Sequence, residues 1–283
     1  MSDAPSAAAL TGAPTDPQKG SLRILQLYPR EMNIYGDYGN VLVLKQRLAW
    51  RGYGAEILEH NAGDPFPDDV DIIVGGGGQD SGQVVIQEDL QAIAPRLRDL
   101  AEDGTPMLLI CGLYQLFGNS FRTVEGTVIP GIGVLDLETR GGSERLIGNV
   151  VATSEEFGEI HGYENHSGQT FLGDGLRPLA TVVKGAGNNA EEKHEGARYR
   201  NIVASYLHGS LLPKNPAIAD FLLRTAAERK FGAFEPGGID DSLAELARRP
   251  PVRGCRCVPR PATARGRRSG SGTPRPRGSV HCP

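Results

Sequence analysis

Met107-Leu108-Leu109-Ile110-Cys111-Gly112-Leu113-Tyr114-Gln115-Leu116-Phe117-Gly118 is the stretch on which the fold turns. Four apolar residues in a row, closed by a turn signal, read as a short strand buried on both faces, the kind that a parallel sheet carries. A sharp turn into a helix then places the Cys111 thiol at a helix N-terminus. Free N–H groups and the helix dipole there favour the thiolate, the form of cysteine that attacks. The same N–H groups can hold a developing oxyanion. Taken alone, the residue reads equally well as a small buried hydrophobe at a strand end.

The same grammar repeats on either side. Arg23 to Leu27, Ala55 to Leu58, Asp71 to Val74 and Ile202 to Tyr206 are further short apolar runs read as strands. Between them lie helix signals. Asn40 is placed to cap a helix whose Val41, Leu44 and Leu48 share one face. A second helix is expected from about Glu88 to Asp103. A third starts at Asn215 with Pro216 in its first position, where the missing N–H costs nothing, and Ile218, Leu222 and Ala226 form its apolar face. This alternation implies an α/β domain with a mostly parallel sheet flanked by helices. Ligands of such sheets sit at the carboxyl ends of the strands. Three features fall at those ends: the Gly75-Gly76-Gly77-Gly78 run, Cys111 and His208.

Composition narrows the function classes. The chain has 283 residues and a net charge of −4, but ten Arg and no acid lie between Arg248 and Pro283. The remaining 247 residues carry 20 basic against 34 acidic side chains, which argues against nucleic acid as a partner. No apolar run approaches the roughly 20 residues that span a bilayer. Residues 1–20 lack the basic start and apolar stretch of a secretory signal, so they read as a disordered leader and the protein as cytoplasmic. The domain is expected over 21–238, with a C-terminal extension over 239–283 that reads as disordered from 248. Cys255, Cys257 and Cys282 lie in that extension, and C-x-C without a second pair is a weak metal signal. That leaves Cys111 as the lone cysteine of the domain.

His208 follows a strand and precedes Gly209, a position facing the carboxyl edge of the sheet. From there an imidazole can take a proton from Cys111 and return one to a leaving amine. The glycine run lacks the lysine and hydroxyl of a P-loop and the context of a dinucleotide fingerprint. An oxyanion pocket from Gly76, Gly77 and Gly112 N–H groups is the better expectation.

Four ordered motifs carry a resemblance: Gly76-Gly77-Gly78-Gln79-Asp80, Cys111-Gly112-x-x-Gln115-x-x-Gly118, Gly162-Tyr163-Glu164-x-His166-x-Gly168 and Tyr206-Leu207-His208-Gly209. With Tyr35-Gly36-Asp37-x-Gly39-Asn40 and Gly187-Asn188-Asn189, they make Leu22 to Glu235 resemble the class I glutamine amidotransferase domains of the cobyric acid synthase type. The resemblance is closer still to the amidotransferase subunit of lipid II isoglutaminyl synthase. It implies the flavodoxin-like fold of that class, hydrolysis of L-glutamine to glutamate and ammonia, and delivery of the ammonia to a Mur-ligase-like partner. That partner would use ATP to amidate the D-glutamate α-carboxylate of lipid II. No cofactor is implied in this chain, ATP belonging to the partner.

Residue by residue, Cys111 matches the family nucleophile, His208 its catalytic histidine, and Arg145 the arginine that contacts glutamine. A guanidinium suits the substrate α-carboxylate through a bidentate pair. Two positions depart from the pattern. Ser210 stands where class I domains usually place a Glu that orients the histidine, so the orienting group is open and Glu164 is the candidate. Leu113 stands where many relatives have Gly, and is expected to narrow the pocket. His166 belongs to a motif but receives no chemical role. Two other readings remain: an amidotransferase feeding a cobyrinate-type synthetase, which the missing P-loop disfavours, and a silent subunit that only holds its partner.

Overall fold

Six strands make the first sheet of a structure, a computed structural model, that describes residues 19–208 and 210–249. The expected leader, all but its last two residues, lies outside the described residues, as do the Arg-rich tail from 250 and its three cysteines. The strands are β1 (Ser21–Leu27), β2 (Gly54–His60), β3 (Ile72–Gly75), β4 (Met107–Ile110), β11 (Ala197–Tyr199) and β12 (Ile202–Ser205), in the spatial order β11-β12-β4-β3-β1-β2. All neighbours are parallel except β11, which closes one edge antiparallel to β12. The run β2-β1-β3-β4-β12 is the flavodoxin-like order, whose strand direction of travel reverses beside β1. β3 and β4 are buried throughout, as their unbroken apolar sequences require.

Register sets the carboxyl edge. Gly75 lies opposite Leu109 and Ser205 opposite Ile110, so Gly76, Cys111 and Tyr206 leave the sheet side by side. The crossovers are helical. Helix α1 (Tyr38–Ala49) buries Val41, Leu44 and Leu48, the predicted face. It begins earlier than expected: Asp37 is the capping position, and Asn40, inside the first turn, accepts the Leu212 N–H instead of capping. Helix α2 (Asp80–Glu102) also starts earlier than expected, at Asp80 and not near Glu88. Helix α3 (Gly112–Leu116) is fully buried. Its end is pinned by Leu116 and Phe117 carbonyls, which accept N–H groups of Ile132, Val134 and Leu135. Helix α4 (Pro216–Phe231) buries Ile218, Leu222 and Ala226 as expected.

A second sheet has no counterpart in the sequence reading. It contains β5 (Ser120–Arg122), β6 (Val128–Pro130), β7 (Leu137–Ser154), β8 (Gly158–Leu172), β9 (Ala180–Lys184) and β10 (His194–Glu195). Most of its pairings are antiparallel, centred on the long β7–β8 hairpin. The hairpin register breaks between Gly141 and Leu146, and Arg145 sits in that break. Bulges of this kind re-aim side chains next to active sites. One apolar core joins both sheets and includes Leu108 and Leu109 of the first and Leu137, Val150 and Ile160 of the second.

The chain also continues past Gly238. Helix α5 (Ser242–Arg248) follows, and Asp241 at its start accepts from the buried Arg47 side chain of α1, which also makes a two-bond pair with Asp220 of α4. No helix among the described residues is long and apolar enough to cross a membrane.

Candidate active site

Strand β4 ends and the chain turns so tightly that Cys111 takes φ +47 and ψ −98, a strained conformation for a residue with a side chain. Such strain persists only where the surroundings enforce it. Here the Cys111 N–H donates to the Ser205 carbonyl at 2.9 Å, its carbonyl accepts from Gln115, and Leu113 N–H donates to Gly76 O. The thiol is presented at the sheet edge, 7% exposed.

His208 arrives from β12. Its N–H donates to Tyr163 O of β8 at 2.8 Å, which fixes the backbone, and Tyr35 lies edge-on to the ring at 4.6 Å. Gly77 packs against both catalytic candidates. A Cβ on Gly77 would lie 2.5 Å from His208 Cε1 and 3.1 Å from the Cys111 Cβ. Cys111 and His208 therefore crowd a position that leaves no room for a side chain. Burial works against the charged form of His208, but its interactions with Cys111 and Asp37 outweigh that and push its pKa up to about 10. This shift favours the protonated ring, the form that can give a proton to a leaving group.

One donor of the expected oxyanion pocket is already engaged. The Gly77 N–H is already committed to Asp37 Oδ2 at 2.7 Å. Gly76 packs against the Met32 carbonyl, where any side chain would clash. The N–H groups of Gly78 and Gly112 make no turn or loop bond among the described residues. They are adjacent, since a Cβ on Gly112 would stand 3.1 Å from the Gly78 nitrogen. Gly78 therefore stands beside Gly112 as a candidate oxyanion donor.

Cys111 opens onto a cavity of about 280 Å³ lined by Gly78, Asp80, Gln115, Arg145 and His166 among others. Arg145 is held at its mouth by Asn165 Oδ1 at 2.6 Å and the Tyr35 hydroxyl at 3.2 Å. The β7 break thus brings the predicted arginine to the cavity that holds the predicted cysteine. His166 is buried, stacks on Tyr206 at 3.7 Å, and bonds Gly168 O through Nδ1 at 2.7 Å. A carbonyl only accepts, so Nδ1 carries the proton and Nε2 is left as an acceptor with no partner among the described residues. Burial, helped by the charge of His208, pushes its pKa down to about 4 and keeps it neutral.

Two further expectations fail on geometry. Glu164 does not orient His208: its carboxylate accepts the N–H groups of Ala186 and Gly187, at 3.0 and 2.8 Å, and braces that loop. Leu113 does not narrow the cavity. It is fully buried against Gly75, where a Cβ would come within 2.4 Å of it. The acid that faces His208 is Asp37, with Oδ2 3.7 Å from Nδ1 and both side chains 1% exposed. The signal for it in the sequence was its place just after β1, at the carboxyl edge.

Comparison with known proteins shows the family. The family model described as a CobB/CobQ-like glutamine amidotransferase domain matches residues 23–216. The chain is 41% identical to the Staphylococcus aureus protein "Lipid II isoglutaminyl synthase (glutamine-hydrolyzing) subunit GatD" over 221 residues, 78% of this chain and 90% of that one. It is 38% identical to the Streptococcus pneumoniae protein of the same name, over 75% of this chain and 82% of the relative. Among solved structures, a chain of PurLQS from Thermotoga maritima superposes with a TM-score of 0.51 at 17% identity, covering 71% of this chain and 97% of that one, a likeness of fold.

Proposed function

The chain belongs to the CobB/CobQ-like glutamine amidotransferase family, and from that premise we propose that it is the glutamine-hydrolysing subunit of a lipid II isoglutaminyl synthase. The observation that carries the reading is the packing of Cys111 and His208 against Gly77, with Cys111 opening onto a cavity that Arg145 also lines.

The chemistry follows from that placement. Arg145 receives the α-carboxylate of L-glutamine, with the side-chain carboxamide reaching inward. The Cys111 thiolate attacks the carboxamide carbon. The Gly78 and Gly112 N–H groups take the oxyanion, each such donor supporting roughly 3 kcal/mol of transition-state stabilisation. His208 gives its proton to the departing nitrogen, and ammonia leaves a γ-glutamyl thioester on Cys111. Water, deprotonated by His208, attacks the thioester. Glutamate departs and the thiolate–imidazolium pair is restored.

The ammonia passes to a Mur-ligase-like partner, which spends ATP to activate the D-glutamate α-carboxylate of lipid II and forms D-isoglutamine in peptidoglycan synthesis. The chain itself works without a cofactor, and its proposed substrates place it in the cytoplasm. The test is isotopic: L-glutamine labelled with ¹⁵N in its amide is given to the chain co-purified with such a partner, with ATP and lipid II. Label is expected in the isoglutamine amide and absent with Cys111→Ala. Hydrolysis of glutamine without label in lipid II would assign the ammonia to another acceptor.

A further inference from the structure

Asp37 is a buried acid that the mechanism above leaves unused. It sits in the loop between β1 and α1 at the capping position of α1, yet makes no side-chain cap bond. Its Oδ2 accepts the Gly77 N–H at 2.7 Å and lies 3.7 Å from His208 Nδ1. Its Oδ1 has no partner among the described residues, and neither has His208 Nδ1. At 3.7 Å the contact is an ion pair poised just outside hydrogen-bond length.

The surroundings fix Asp37 there. Gly76 is packed against the Asp37 Cβ. Ser210, which stands where class I domains usually carry an acid, turns away from His208 at φ +58, and its hydroxyl donates to Gly36 O at 2.9 Å. Gly39 has no room for a side chain, because a Cβ would overlap the Ser210 oxygen. The residue that could have oriented the histidine thus tethers the loop that carries Asp37.

We infer that Asp37 is the positioning residue of the Cys111–His208 pair, orienting His208 through Nδ1 while the same carboxylate oxygen fixes the Gly77 N–H and so aims the Gly78 N–H at the oxyanion. This rests on the glutaminase reading for its purpose but not for its test. The groups facing His208 are Cys111 from the turn after β4, Asp37 and Tyr35 from the β1–α1 loop, and His166 from β8. Removing Cys111 leaves Asp37 as the one anion among them.

The deciding experiment is the NMR titration of the His208 ring in full-length Cys111→Ala and in Cys111→Ala/Asp37→Asn. Neither needs turnover, so the result stands whether or not glutamine is the substrate. With Asp37 intact the midpoint is expected to stay above the ordinary 6.5 despite burial, and to fall by about 1–3 pH units in the double variant. Equal midpoints would overturn the inference. If the double variant does not fold, Cys111→Ala alone decides, a midpoint below 6.5 overturning it. In the active chain, Asp37→Asn keeps an acceptor for Gly77 but loses the charge. The alkaline limb of kcat/KM should move down by a similar amount, and Asp37→Ala should lose more activity still. A purely structural role would lower activity in both and leave the limb in place.

Discussion

Gly77 and His208 are packed so that no side chain fits between them: a Cβ at 77 would stand 2.5 Å from Cε1 of the ring. Gly77→Ala must therefore move either the imidazole or the loop that carries the Gly78 N–H. A misplacement of about 1 Å in such a site costs on the order of 100-fold. Steady-state glutamine hydrolysis by folded Gly77→Ala should fall by at least about that factor. Activity within a few-fold of wild type would mean that His208 is not held against this loop.

Arg145 stands at the cavity mouth, its guanidinium steadied by Asn165 and Tyr35. If it binds the substrate carboxylate, its loss affects ground state and transition state alike. Arg145→Ala should raise KM for L-glutamine by roughly 10- to 100-fold with little change in kcat. A fall in kcat at constant KM would remove it from the binding role.

His166 gives a pH dependence with a definite sign. Burial holds its folded pKa near 4 against 6.5 in the unfolded chain. A depressed pKa contributes stability that is present above 6.5 and lost as pH falls towards 4, because the unfolded chain takes up the proton first. Urea unfolding at pH 7 and pH 5 should show wild type losing about 2 kcal/mol more than His166→Gln over that interval. Equal losses would contradict the buried, neutral state of the ring.

Glu164 provides the contrast to Asp37. Its carboxylate holds two backbone N–H groups, at Ala186 and Gly187, and does not reach His208. Glu164→Gln should lower stability by about 1–3 kcal/mol, the cost of an unsatisfied buried donor. The alkaline limb of kcat/KM should stay where it is. A shifted limb would return Glu164 to the orienting role.

Much of this site could be read in the sequence because its residues sit where strands end. The apolar runs before Cys111 and His208 and the glycines after Val74 each mark a carboxyl edge, and parallel pairing brings those edges together. The β7–β8 hairpin was not legible. Its alternation is broken at Gly141-Gly142-Ser143-Glu144 and by Gly148, Gly162 and Gly168, which remove the period that betrays a strand. Arg145 was recognisable by resemblance, but its route to the cavity depends on that hairpin. Asp37 and Gly78 were missed for a different reason. Their roles follow from which N–H is already bonded, and local sequence carries no record of that.

Glutamate release from L-glutamine tests the central claim most directly. The full-length chain is assayed alone and with a co-expressed Mur-ligase-like partner, beside Cys111→Ala in both states. Release is expected in the presence of the partner and is expected to disappear in the variant. A folded complex that releases no glutamate, or a Cys111→Ala complex that releases as much as wild type, would contradict that claim.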